Sequence, residues 1–296
     1  MAGLTRRRVA VGGTWLLAGA GLPACGTARA QAAAPEARLA ALEREHGGRL
    51  GVAVLDVATG HRIAYRAEER FPLCSTFKVL AAALVLARVD RGKERLDRRV
   101  VFSREDIRPW SPVTEKHPGA PGMTLAELCE AAVTLSDNTA GNLLLGSFGG
   151  PAGLTGFARA LGDDVTRLDR FETALNEGTP GDPRDTTTPA AMLGNMRRIM
   201  VGDALSESSR TQLAGWLLGS RTGGRRLRAG FPPDWRVGDK TGGNGTGVAN
   251  DIAIAWPPGG GALLVAAYYA ESPGPEERRN AVLAEVGRIA VPQGRP

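Results

Sequence analysis

The sequence predicts an α+β fold, an antiparallel sheet built from both chain ends with flanking helices plus an inserted all-α lobe, and three observations carry that expectation. Short apolar or alternating runs separated by glycine and proline turns lie near residues 50–66 and again near 235–269. The chain between them, about residues 75–217, repeats its apolar positions at helical spacing. Helical stretches at 35–45 and 275–289 flank the two strand-rich ends. On this reading residues 31–70 and 218–296 make an α/β lobe and 71–217 an all-α lobe. A binding cleft is expected at the seam between them.

Residues 1–30 read as a leader. Arg6, Arg7 and Arg8 precede a mildly apolar run at 9–22, and Ala28-Arg29-Ala30 offers a small-residue cleavage site, the three parts of a secretory signal. The adjacent arginines also suit twin-arginine export. Leu22-Pro23-Ala24-Cys25 resembles a lipoprotein site with Cys25 as the anchor, although proline is atypical there. The segment is too short and glycine-rich for a permanent membrane span, so a periplasmic or secreted protein is expected. The first helix, at 35–45, carries Leu39 and Leu42 at helical spacing and stops at Gly47-Gly48. Runs 50–56 and 62–66, separated by Ala58-Thr59-Gly60-His61, form a hairpin. Helices follow at 76–89, 124–135, 139–145 and 189–200, then strands at 235–240, 248–256 and 262–269.

With 296 residues and 43% apolar content the chain can bury a large core, which excludes a disordered chain. The formal charge of +6 includes four arginines and no acid from the first 30 residues, so the remaining body carries only +2. That near balance, without a basic stripe, excludes nucleic acid as the expected partner. Once Cys25 is set aside, Cys74 and Cys129 are the only cysteines, and two buried thiols are expected rather than a disulfide framework.

Three short strings carry candidate chemistry. In Ser75-Thr76-Phe77-Lys78 the serine opens a helix and the lysine lies one turn on, so an amine can reach a hydroxyl on the same helical face. The helix start also offers unpaired backbone N–H groups to a developing oxyanion. Only four of the 37 basic residues are lysine, and two of those, Lys78 and Lys240, fall within the strings. Lysine can titrate when desolvated, whereas arginine holds its proton. Ser136-Asp137-Asn138 follows the helix at 124–135 as a turn, and Lys240-Thr241-Gly242-Gly243 ends an apparent strand.

Taken together and in this order, the strings resemble the signature of class A serine β-lactamases and penicillin-binding proteins. A fourth stretch, Arg170-Phe171-Glu172-Thr173-Ala174-Leu175-Asn176 running on to Asp185, resembles the class A Ω-loop, here 167–185. The resemblance implies that Glu172 and Asn176 hold the hydrolytic water and that Arg170 and Asp185 close the loop's neck. Thr173 stands where many relatives have proline. Arg226 matches an arginine that pairs with the substrate carboxylate in some relatives, and Trp110 matches an aromatic residue at the cleft rim. Cys74 faces Asn244 and Cys129 faces Ala82 where some relatives bridge two cysteines, so neither bridge is available.

The implied function is hydrolysis of the cyclic amide of penicillin- and cephalosporin-type antibiotics, conferring resistance. Ser75 attacks the ring carbonyl, with Lys78, or Glu172 through a water, as base. The backbone N–H groups of Ser75 and Gly243 hold the oxyanion, and Ser136 passes a proton to the ring nitrogen. Asn138 binds the side-chain amide, and Lys240, Thr241 and Arg226 bind the carboxylate. No metal or other cofactor is required, since His46, His61 and His117 form no metal-binding pair, and a monomer acting on small molecules is expected. A DD-peptidase and a non-hydrolysing penicillin sensor share the three strings. Glu172 speaks against the first, and the lack of a membrane segment against the second.

Overall fold

The computed structural model describes residues 1–3, 10 and 33–292, so the expected leader, with Cys25, lies outside the described residues. Helix α1 (Pro35–His46) is followed by β1 (Arg49–Asp56), β2 (Arg62–Tyr65) and the two-residue β3 (Phe71–Pro72). Then come α2 (Phe77–Asp90), β4 (Arg99–Val100), β5 (Met123–Thr124), α3 (Leu125–Thr134), α4 (Asn138–Ser147), α5 (Gly150–Ala160), β6 (Thr186–Thr187), α6 (Pro189–Met200) and α7 (Glu207–Leu218). The short α8 (Leu227–Gly230), strands β7 (Arg236–Gly243), β8 (Ala249–Trp256) and β9 (Leu263–Ala270), and helix α9 (Glu276–Ala290) complete the chain.

The sheet is antiparallel and does draw on both ends, in the order β2-β1-β9-β8-β7. Strand β9 lies in the middle and is buried along its whole length. Its side chains alternate between two cores as the two-residue period of a strand demands. Leu264, Ala266 and Tyr268 join the core shared with α2, α3 and α6, while Leu263, Val265, Ala267 and Tyr269 join the core under α1 and α9. This double burial explains why β9 reads as a continuous apolar run.

Helix α2 runs through the middle of the larger core and is buried from Phe77 to Ala87. Such a helix is apolar all round, and Lys78 is the one charged side chain in that stretch, at 0% exposure. A lysine so placed must be satisfied by specific partners.

Within the helical insertion the structure adds two short ladders, β3 with β6 and β4 with β5. Two residues cannot display an alternating pattern, so these pairings left no trace in the sequence. The first matters most, because it fastens the chain leading into Ser75 to the end of the Ω-loop. Strand β7 also differs from expectation, running through Thr241-Gly242-Gly243 instead of ending at Lys240. Gly242 pairs with Asn250 and Gly243 with Ala249. The glycines there permit close backbone approach rather than a turn.

Candidate active site

Ser75 sits in a 3₁₀ turn, Cys74–Thr76, that feeds α2. Its Oγ accepts a hydrogen bond from Lys78 Nζ at 2.9 Å and donates one to Glu172 Oε1 at 3.2 Å. Lys78 Nζ also donates to the Ser136 carbonyl at 2.9 Å and to Asn138 Oδ1 at 2.6 Å, and it lies 3.0 Å from Glu172 Oε1. Gly141 makes room for it, since a Cβ at that position would stand 2.9 Å from Lys78 Cε. Burial pushes the Lys78 amine below the ordinary lysine value of 10.5, and the charge of Glu172 opposes that shift. Cys74, next to the nucleophile, is an inert thiol, pushed up to about 12 by burial and then by Glu172. Cys74 and Cys129 are both free and buried.

The second string is held by Asp137. Its Oδ2 accepts from the backbone N–H groups of Val113 and Thr114 at 3.0 Å, and its Oδ1 accepts from Thr114 Oγ1 and Ala140 N at 2.8 Å. These bonds cap α4 and fix the turn in which Ser136 adopts a left-handed φ of 60°. Lys240 Nζ, reaching across from β7, donates to Ser136 Oγ at 2.9 Å and to the Thr241 carbonyl at 2.6 Å. Burial, reinforced by the nearby charge of Lys78, pushes Lys240 well below 10.5. Asn138 holds Lys78 with its oxygen and donates from Nδ2 to the Pro109 carbonyl at 2.8 Å. Trp110 anchors Nε1 on the Leu135 carbonyl at 3.0 Å and leaves its ring 66% exposed at the rim.

The Ω-loop is closed where expected, with Arg170 Nε 2.6 Å from Asp185 Oδ2. Asp185 Oδ1 accepts from the N–H groups of Asp169 at 2.8 Å and Arg170 at 3.0 Å. The Glu172–Thr173 peptide is cis although Thr173 is not proline. Asn176 Nδ2 donates to Glu172 Oε2 at 2.5 Å, and Asn176 Oδ1 is buried without a donor among the described residues.

Arg226 is half-buried and forms no salt bridge among the described residues. Its Nε donates to Asn280 Oδ1 at 2.8 Å, and Nη1 donates to the carbonyls of Gly242 at 2.7 Å and Asn250 at 2.8 Å. Nη2 makes no hydrogen bond among the described residues. A neighbouring carboxylate, Asp239, is occupied by Arg228 Nε at 2.8 Å and Ser220 Oγ at 3.0 Å.

A cleft of about 530 Å³ gathers Ser75, Trp110, Ser136, Asn138, Asn176, Arg226, Thr241 and Gly243 along its wall. Lys78, Glu172 and Lys240 stand directly behind it through the bonds described above. A second cavity of about 550 Å³ beside α3, bordered by His117, Met123 and Leu135, contains none of these residues. Chemistry, not volume, selects between them.

Three contributors carried no sequence signal. Asn142, inside α4, clamps both sides of the Glu172 backbone, accepting its N–H at 2.8 Å and donating to its carbonyl at 3.0 Å. Thr222 lines the cleft with its hydroxyl 2.7 Å from that of Thr241. Asn250 ties β8 to the chain before Ser75.

Residues 34–293 match the model of the "Beta-lactamase enzyme family". The chain belongs to that family. This β-lactamase chain is 49% identical over 255 residues to "Beta-lactamase FAR-1" of Nocardia farcinica (strain IFM 10152), a match covering 86% of this chain and 81% of the relative. It is 50% identical over 252 residues to "Beta-lactamase L2" of Stenotrophomonas maltophilia, covering 85% of this chain and 83% of the relative. Among solved structures, "Ancestral (GNCA) Beta-lactamase class A" is 64% identical with a TM-score of 0.85, covering 86% of this chain and 98% of that one. These likenesses place the β-lactamase in class A, the family its motifs resemble.

Proposed function

We propose that this chain hydrolyses the β-lactam amide of penicillin- and cephalosporin-type antibiotics through an acyl-enzyme on Ser75. One observation carries the reading beyond acylation: Glu172, 3.2 Å from Ser75 Oγ, has Asn176 beside it with a buried amide oxygen awaiting a donor. A carboxylate beside the hydroxyl, with a free acceptor on its neighbour, suits a station for the water that attacks the ester. A sensor that stays acylated has no use for it, and a DD-peptidase deacylates β-lactams only slowly.

In acylation Ser75 Oγ bonds to the ring carbonyl carbon and gives up its proton to Lys78 or, through a water, to Glu172. Ser75 Oγ touches both groups. The depressed pKa of Lys78 enlarges the neutral fraction that can act as base. Oxyanion charge is held by the backbone N–H groups of Ser75 and Gly243, which border the same cleft. As the C–N bond breaks, Ser136 protonates the ring nitrogen, drawing on Lys78 and Lys240. Water then attacks the ester, Glu172 takes its proton, Ser75 regains its own and the open-ring acid leaves. Sustained turnover of a chromogenic cephalosporin by a trace of protein tests the whole reading, and a single stoichiometric burst would defeat it.

Lys240 is a buried cation and Arg226 a half-buried one, neither in a salt bridge among the described residues, which suits an arriving carboxylate. Thr241 offers its hydroxyl, and the second Nδ2 hydrogen of Asn138 serves the side-chain amide. We expect Arg226→Ala to raise KM for carboxylate-bearing substrates, since a charge-assisted hydrogen bond contributes about 1.5 to 3 kcal/mol, roughly tenfold or more. Unaltered KM and kcat/KM would place the anchor elsewhere. Lys240 adds a pH dependence. Because its proton is lost well below 10.5, KM should climb on the alkaline limb before that pH. Lys240→Arg should carry the limb upward, and a KM flat to pH 10.5 in the parent would contradict the assignment.

Residues 1–30 are read as the export leader, with twin-arginine and lipid-anchored forms as its variants, and the mature body as a periplasmic or secreted monomer. Among the described residues no helix is long and apolar enough to cross a membrane.

A further inference from the structure

Asn250 belongs to none of the motif strings. Its side chain is fully buried, and Nδ2 donates to the carbonyls of Pro72 at 2.8 Å and Leu73 at 3.3 Å, just before the nucleophile. Its own carbonyl accepts from Arg226 Nη1 at 2.8 Å. Gly242, its register partner on β7, offers a carbonyl to the same nitrogen at 2.7 Å. A side chain at Gly242 would crowd this fit, since a Cβ there would lie 3.0 Å from the Leu73 oxygen and 3.2 Å from Cys74 Cβ. A single rung of the sheet therefore touches the guanidinium at one side and the chain entering Ser75 at the other.

The nucleophile turn needs such a tie. Cys74, a residue with a Cβ, is held at a left-handed φ of 42°, a conformation that persists only when surrounding contacts over-determine it. The two Nδ2 bonds of Asn250 hold that turn, while its Oδ1 is buried without a donor among the described residues.

We propose that Asn250 is a positioning residue that fixes the Ser75 turn against the Arg226 rung. The spacing between carboxylate anchor and nucleophile is then set in the free enzyme. A ring held by its carboxylate meets Ser75 without rearrangement, the condition under which small displacements are costly to rate. The inference rests on the β-lactam reading of the cleft.

The test compares Asn250→Leu with the parent enzyme on benzylpenicillin, scaled to the folded fraction measured by circular dichroism, with Asn250→Ser as the smaller change should leucine prevent folding. Acylation, read as kcat/KM, should fall about ten- to a hundredfold, while decay of a preformed acyl adduct stays at the parental rate. Combined with Arg226→Ala, the loss should be less than the product of the two single losses, because without the anchor its spacing to Ser75 no longer matters. A kcat/KM that follows only the folded fraction, or losses that multiply independently, would overturn the proposal. A parent that does not open benzylpenicillin at all would overturn the β-lactam reading instead.

Discussion

Mixed with benzylpenicillin, the Glu172→Gln variant is expected to accumulate an acyl adduct on Ser75 that the parent enzyme hydrolyses. The ester would lie at the start of a buried helix, where water must be held near the carbonyl by a group able to take its proton. Glu172 meets that requirement, since Asn176 can orient water but cannot accept a proton. General-base assistance is worth about 10² to 10⁴ in rate, so deacylation should slow by at least that range. The substitution isolates the chemistry well. Asn142 grips the Glu172 backbone rather than its carboxylate, so the main chain at this position stays in place. Where Lys78 is the acylation base, acylation continues in part, since its amine lies 2.9 Å from Ser75 Oγ in the parent. The reaction would be quenched over seconds to minutes and followed by the mass of the intact protein. Parental turnover without an adduct would remove Glu172 from deacylation.

Ser75→Ala should abolish turnover and covalent labelling together. Loss of the nucleophile in serine hydrolases costs on the order of 10⁶ in kcat, and no alternative stands ready here. Cys74 is adjacent, but burial pushes its thiol up to about 12, so it supplies almost no thiolate at neutral pH. Ser136 Oγ accepts from the buried ammonium of Lys240, which holds it as a proton carrier and not as an activated nucleophile. Intact mass spectrometry after prolonged exposure to penicillin checks this. A penicilloyl adduct on the variant would show that another hydroxyl or thiol performs the attack.

Much of this protein was determined by its sequence alone. The period of the apolar residues set six of the helices, though not α5, α7 or α8, and the strands of the central sheet, because backbone geometry imposes those periods wherever a face is buried. The three strings and the Ω-loop named Ser75, Lys78, Ser136, Glu172 and Lys240 because each sits in a local context whose order along the chain is distinctive. What separated chain segments build together was not legible. The meeting of Lys78 with Glu172, and of Lys240 with Ser136, depends on how α2, the Ω-loop and β7 pack, and no local propensity encodes those distances. Nor could the sequence show that Gly242 and Gly243 extend a strand. Strand pairing decides that, and glycine is favoured at 242 because the nucleophile turn presses against the backbone, and at 243 because the Val248 carbonyl does. Asn142, Thr222 and Asn250 were invisible for the same reason. Each occupies an ordinary helix, loop or strand position, and its role arises only from hydrogen bonds to residues far away in the chain. Burial makes those bonds obligatory, and only tertiary structure decides which groups are buried together.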